Sequence, residues 1–206
     1  MLIHPWDEGR SEQEWTEFVR TQQFGQLIAA GRGRDVAVVV PTQFALAAPD
    51  LVLLHLARPN PVWDALEENP AVVLSIAGDW SYIPAAWKAI GDEDPAMGVP
   101  TTYYAAVQLI ANAEIVDDQD EKAAILRVQL GVTEPGSGAA DPADHGRRLA
   151  GIRGLRLHVT EVRAKFKYGG NVDDEHRAAV VDRLRERHGP GDPAAIAHLR
   201  ARTPLP

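Results

Sequence analysis

The spacing of strand-like segments constrains the fold of this chain more than any other feature of its sequence. Six or seven segments are rich in β-branched and aromatic residues, and most are separated by turns or loops. The longest read "TTYYAAVQLIANAEIV" (101–116) and "LRLHVTEVRAKFKY" (155–168). Strands that alternated one for one with helices would predict a parallel sheet, whereas few intervening helices favour antiparallel pairing. The sequence therefore predicts a mainly β, α+β fold, in which peripheral helices pack around an antiparallel barrel.

Helix signals are fewer and lie between or after the strands. A capping box of Ser11 and Glu14 opens the first helix, and Asp118 with Glu121 opens a later one. A short helix is predicted near residues 61–68 and a longer one in "DDEHRAAVVDRLRER". We predict a barrel domain over residues 1–188 and a C-terminal tail over 189–206, with one or two helical turns that then fray.

Composition excludes several classes of site. The 206 residues include no cysteine, so disulfides, thiolate metal sites and cysteine nucleophiles are absent. The seven histidines are scattered without an i, i+4 pair, which does not favour a metal site. The start "MLIHPWDEGR" lacks the pattern of a secretory signal, and no segment approaches the roughly 18 apolar residues of a membrane span. We expect a soluble cytoplasmic protein.

The segment 155–168 carries a row of cations and a change of buried face. Apolar residues occupy odd positions before Thr160 and even positions after it, which predicts a bulge or a new packing partner there. Beyond that point Arg163, Lys165 and Lys167 share one face. Two interpretations stay open: a solvated edge strand protected by cations, or a functional basic face.

The stretch "HLARPNPVW" places three polar side chains in one strand-to-helix turn. His55, Arg58 and Asn60 are separated by two prolines, and a short helix follows. The turn is either a rigid connector with polar residues facing water, or an anion site at the start of a helix.

Four stretches in order resemble the PaiB-type FMN-binding transcriptional regulators, a branch of the pyridoxamine-phosphate-oxidase-like split barrels. They are "HLARPNPVW", "YIPAAWK", "VPTTYYAAVQLIANAEIVDD" and "KFKYGGNVDDEHRAAVVDRL". The resemblance extends from about residue 1 to residue 187. It implies an FMN-binding split β-barrel that forms a homodimer, with the flavin held noncovalently between subunits.

The resemblance also implies which residues contact the flavin. Arg58 would carry most of the phosphate charge with help from Lys165 or Lys167, while His55 and Asn60 would add hydrogen bonds. The positions that match the borders of the ring or the ribityl chain are Tyr82, Trp87, Thr101 and Tyr104. Asn171 matches the fourth motif.

The chain departs from the family pattern at several of these motifs. Pro84 and Ala86 replace two serines, and Gln108 stands where histidine is common. The other replacements are Thr102 for Trp, Tyr103 for Asn, Gly169 for Ser, Gly170 for Gln and Val172 for Arg.

Three functions are compatible with the sequence. The first is an FMN-binding protein of the regulator family, and the second is a flavin-dependent oxidoreductase acting on a small molecule, although no residue stands out as a general base. The third is a barrel that has lost its flavin and serves as a binding scaffold. The charge of −8 and the lack of a helix-turn-helix pair predict no direct DNA binding.

Overall fold

The computed structural model describes residues 1–89 and 91–202, which contain seven β-strands and six α-helices. The strands are β1 (Phe24–Ala29), β2 (Val38–Gln43), β3 (Ala45–Ala48), β4 (Leu51–Ala57), β5 (Ala71–Ile83), β6 (Thr101–Val116) and β7 (Ile152–Lys167). The helices are α1 (Glu12–Gln22), α2 (Val62–Glu68), α3 (Gln119–Thr133), α4 (Arg147–Ala150), α5 (Asp174–Arg187) and α6 (Asp192–Arg202).

The strands form one sheet in the order β2-β1-β5-β6-β7-β4-β3. Antiparallel ladders join β1 to both β2 and β5, and β4 to both β3 and β7. The predicted α+β class with antiparallel strands is confirmed. The ladder between β4 and β7 ends at His158, so it does not cover the basic row. Lys165 of that row is nevertheless buried, so the interpretation of the row as a solvated sheet edge is wrong for this residue.

Long strands change their buried face part-way along. In β7, Leu155 and Leu157 are buried before Thr160, and Ala164 and Phe166 are buried after it. The predicted parity switch is therefore confirmed. Strand β5 makes the same kind of switch between Ile76 and Ser81 and continues as one strand.

A break at Phe44 separates the short strands β2 and β3. The Phe44 side chain is buried, and its amide donates to the Gln23 carbonyl at 3.1 Å. This hydrogen bond turns the backbone between the two short strands.

The chain divides into two compact units. The terminal unit contains residues 1–11, 77–106 and 164 to the C-terminus, and the central unit contains residues 12–76 and 107–163. In the central unit, Leu53, Val116 and Ile125 form a buried cluster. In the terminal unit, buried Tyr103 and Tyr168 meet edge to face, with ring centroids 5.9 Å apart.

Side-chain caps fix the starts of two predicted helices. The Asp118 carboxylate accepts from the Glu121 amide at 3.0 Å before α3, which confirms that prediction. Asp173 accepts from the His176 amide at 2.7 Å before α5.

The C-terminal segment is more ordered than the sequence predicted. Helix α6 has eleven residues, about three turns, because Ala195 and Leu199 are buried and Asp192 is fixed at its start. The predicted fraying falls on residues 203–206, which lie outside the described part. None of the described helices is long and apolar enough to cross a membrane.

Candidate functional site

A cavity of about 290 Å³ in the terminal unit contains several of the predicted cofactor residues. We call it the lysine pocket. The side chains that line it include His4, Trp6, Asp7, Lys88, Thr101, Tyr103, Lys167 and Asn171, and Gly169 supplies backbone. Its volume is at the small end of ligand cavities, so one chain encloses a cofactor-sized molecule only in part.

Two ammonium groups make this pocket electropositive. The Lys167 Nζ donates to the Thr101 hydroxyl at 2.7 Å, which orients the lysine at the end of β7. Burial lowers the pKa of Lys88, and the charge of Lys167 lowers it further. Two like charges in one cavity favour the binding of an anion that neutralises them.

A carboxyl group stands among these cations. Asp7 ends a 3-10 turn at Pro5–Asp7 and is only 3% exposed. Burial raises its pKa above the ordinary value, whereas the charges of Lys165 and Lys167 oppose the shift. Nothing in the local sequence "HPWDEG" indicates that this carboxyl is buried.

The Tyr103 hydroxyl is buried without a hydrogen-bond partner among the residues that the structure describes. Its burial raises the pKa of Tyr103 to about 12. A buried unpaired hydroxyl costs roughly 1–3 kcal/mol, and such groups collect at functional sites.

An aromatic pair forms another wall of the pocket. The rings of His4 and Trp6 stack with centroids 4.7 Å apart, and Trp6 is 45% exposed. The indole therefore offers a flat face to a planar ligand.

The three cations of the basic row on β7 have different surroundings. Lys165 is buried, donates to the Leu2 carbonyl at 2.8 Å and lies 5.7 Å from the Tyr104 ring centroid. Arg163 pairs with Glu161. Of the basic row, Lys167 alone is among the residues that line the lysine pocket.

Tyr82 and Trp87 lie near each other around Arg187. The Arg187 guanidinium donates to the Tyr82 carbonyl at 2.6 Å and stands 4.9 Å from the Trp87 ring centroid. The Tyr82 side chain is 49% exposed. The structure therefore places these two residues together, but not among the residues that line the lysine pocket.

The remaining predicted site residues belong to the central unit and have protein partners. Arg58 donates to the Ala150 carbonyl at 2.8 Å and pairs with Asp117 at 2.7 Å. His55 Nδ1 lies 2.7 Å from Gln129 Oε1. Asn60 accepts from the Val62 amide at 3.0 Å before α2. These contacts support the connector interpretation of the turn, and the phosphate role of Arg58 stays a prediction.

Sequence reasoning missed His4, Trp6, Asp7 and Lys88, which all line the pocket. The first three lie in an N-terminal segment without a periodic pattern, and Lys88 is the last residue of the "YIPAAWK" motif. Its position in that motif was the one available signal, because the N-terminal segment reaches the pocket only through tertiary contacts.

Comparison with known proteins places the chain in a family. A family model described as "Putative FMN-binding domain" matches residues 1–161. The chain is also similar to "Protease synthase and sporulation protein PAI 2" of Bacillus subtilis (strain 168), with 25% identity over 187 residues, 87% of this chain and 86% of the relative.

Solved structures share the fold. The flavocytochrome Anf3 from Azotobacter vinelandii superimposes with a TM-score of 0.63 at 20% identity, covering 84% of this chain and 75% of that one. The FAD and heme binding protein from Mycobacterium smegmatis gives a TM-score of 0.62 at 18% identity, covering 84% and 80%. The predicted split-barrel fold is thereby confirmed. Because the family model matches more than half of the sequence, the chain belongs to the FMN-binding domain family. FMN is also the cofactor that the sequence predicted.

Proposed function

We propose that this protein holds FMN noncovalently, with the lysine pocket as one subunit's part of the binding site. One observation carries the proposal: Thr101, Lys167 and Asn171, all assigned to the cofactor by resemblance, line a single cavity. Lys88 adds a second ammonium group there.

The chemistry of the pocket fits the parts of FMN. A phosphate dianion suits the ammonium groups of Lys88 and Lys167, and polar hydroxyls suit the side chains of Thr101 and Asn171. The exposed face of Trp6 suits a flat ring. Bound FMN would supply redox chemistry, while these residues bind and orient it.

An FMN titration followed by flavin fluorescence tests the proposal. We expect Lys167→Ala to weaken FMN binding about tenfold or more, because it removes a charge-assisted contact of roughly 1.5–3 kcal/mol. Arg163→Ala is the matched control: it removes a cation from the same strand that pairs with Glu161. Equal affinities of the two variants would contradict the proposal.

We also propose that two subunits complete the site as a homodimer. The terminal unit exposes several large apolar side chains: Trp80, Tyr82, Met97 and Val99. Burying such residues against a second copy is favourable, and the small pocket leaves room for a contribution from that copy. Light scattering at micromolar concentration should report twice the 22.4 kDa chain mass. A monomer mass would refute the dimer.

We further propose that the protein has a regulatory role and acts in the cytoplasm. Its similarity to the Bacillus protein named for protease synthase and sporulation supports the regulatory role. A flavin-dependent oxidoreductase is the second candidate, and the buried carboxyl of Asp7 favours it, since such a group can exchange a proton with a substrate. Reduction of the bound flavin by NAD(P)H, followed by its reoxidation with turnover of an electron acceptor, would favour the enzyme over the regulator.

A further inference from the structure

The Asp7 carboxyl group lines the lysine pocket, although a negative charge there would repel the anion that the two lysines attract. It is 3% exposed and lines the cavity, and it forms no hydrogen bond or ion pair with other groups in residues 1–89 and 91–202. Buried carboxylates in proteins are normally paired, so a free one indicates either a neutral acid or a ligand that completes it.

Charges face Asp7 from several elements of the terminal unit. His4 lies in its own segment, Lys165 and Lys167 lie on β7, and Arg202 lies on α6. Lys88 lines the same cavity, and the Tyr103 hydroxyl of β6 interacts electrostatically with Asp7. The desolvation of Asp7 outweighs these cations, which favours its neutral form.

We propose that Asp7 is a ligand-binding residue of the lysine pocket that takes up a proton when an anionic ligand enters. The neutral acid then donates a hydrogen bond to an acceptor on that ligand. The ligand class is a phosphate- or carboxylate-bearing molecule with a carbonyl oxygen or ring nitrogen beside the anionic group. The proton comes from the buffer, and only the Asp7 O–H bond is formed. For FMN as ligand, this inference rests on the function proposed above.

The sign of the pH effect follows from charge. An incoming anion adds negative potential at Asp7, so the bound state holds the proton to a higher pH than the free state. At a pH between the pKa of Asp7 in the free protein and its pKa in the complex, up to one proton is taken up when the ligand binds. Affinity therefore falls as pH rises through that window, by at most about tenfold per pH unit, and is flat outside it.

Calorimetric FMN titrations in two buffers of different ionisation enthalpy count this proton. We expect the wild type to take up as much as one proton more than Asp7→Asn, which keeps the shape of the side chain without its charge. Subtracting the proton uptake of Asp7→Asn from that of the wild type cancels the protons taken up by the FMN phosphate, whose own second pKa is near 6. The Asn variant should also bind FMN more tightly above the window, by up to tenfold.

Glu8→Gln is the matched control, because it removes the charge of the next residue, whose side chain lines a different cavity. It should behave as wild type. Riboflavin, which lacks the phosphate, should show less proton uptake in the wild type than FMN does, and equal uptake would overturn the requirement for an anion.

Equal proton uptake and equal affinity of Asp7→Asn and wild type would overturn the inference and leave the proposed function standing. Absence of FMN binding to both proteins would instead refute the proposed function. Inorganic phosphate then serves as the probe in thermal-shift measurements at pH 7. A larger shift for Asp7→Asn supports the inference, and equal shifts overturn it. Circular dichroism establishes that each variant is folded.

Discussion

Among individual residues, the side chain of Tyr103 restricts which residue can occupy position 169. Gly169 adopts a left-handed backbone conformation, with φ +67°, and a Cβ at this position would lie 2.4 Å from the Tyr103 hydroxyl oxygen. The family resemblance implies Ser and Asn at these two positions. Because a Cβ at position 169 would collide with the Tyr103 hydroxyl, the tyrosine favours glycine there.

Gly169→Ser should destabilise the protein by more than backbone strain alone, which is about 1–3 kcal/mol. Gly136→Ser is the control, since Gly136 has φ +75° and a Cβ added there would have no neighbour within 4 Å. Urea unfolding should show the larger loss for Gly169→Ser, and the loss that this substitution causes should be smaller in a Tyr103→Asn background than in the wild type. Equal losses for the two serine variants would show that Tyr103 does not constrain this turn.

Substitution of Arg58 tests the prediction, made from the sequence, that the strand-to-helix turn binds the FMN phosphate. If it holds the FMN phosphate, Arg58→Ala should weaken FMN binding about tenfold or more, and Arg58→Lys should weaken it less. The substitution also breaks a pair with Asp117, so Arg153→Ala is the control, because Arg153 pairs with the same carboxylate at 3.0 Å. If Arg58→Ala and wild type titrate alike, the turn is a connector.

At the scale of elements, one ionic network fixes the turn between α5 and α6 to β5. The buried Asp192 carboxylate pairs with Arg187 and accepts from the Ser81 hydroxyl at 2.6 Å. The Gly189 amide also donates to it, at 2.7 Å. Gly191 packs so closely on β5 that a Cβ there would meet the Trp80 carbonyl. The network explains why α6 is ordered although its own sequence pattern is weak.

This network makes stability depend on pH. The Arg187 guanidinium, followed by the Ser81 hydroxyl, lowers the pKa of Asp192 from 3.8 to about 2 against the effect of burial. The stabilisation is therefore complete above about pH 4 and is lost as pH falls toward 2. Asp192→Asn should cost about 1.5–3 kcal/mol at pH 7 and flatten the stability profile between pH 4 and 2, measured by urea unfolding.

Asp182→Asn is the control for that experiment. It removes an exposed i, i+3 partner of Arg185 on α5, and such pairs contribute little. A similar loss in both variants would indicate a general charge effect rather than the buried network.

At the scale of the whole molecule, the distribution of charge predicts no direct DNA binding. The chain carries a net charge of −8, and three of the four arginines of α5 have acidic partners: Arg177 with Asp174, Arg185 with Asp182 and Arg187 with Asp192. On β7 the cation of Lys165 is buried. Cations that are paired or buried in this way displace fewer counterions from a duplex.

A gel shift at low salt is the most permissive measurement of DNA binding, because screening is weakest there. We expect no sequence-dependent shift of duplex DNA by the purified protein. A specific shift that survives competitor DNA would overturn this prediction and show that regulation is direct.

The fold class and most element positions could be predicted from the sequence, because they follow from local periodicity and capping. The strand at 101–116, the cap at Asp118 and the parity switch near Thr160 are all encoded within a few neighbouring residues. Ordered motifs along the chain likewise sufficed to predict the FMN-binding family.

Tertiary contacts determine which polar groups meet and which are buried. The N-terminal segment brings Asp7 into the lysine pocket, and no local pattern specifies that contact. The three cations of the basic row look equivalent in sequence, yet Lys165 is buried, Arg163 pairs with Glu161 and Lys167 lines the pocket. Burial and pairing depend on residues far away along the chain, and these two quantities set the charge and hydrogen-bonding capacity of a site.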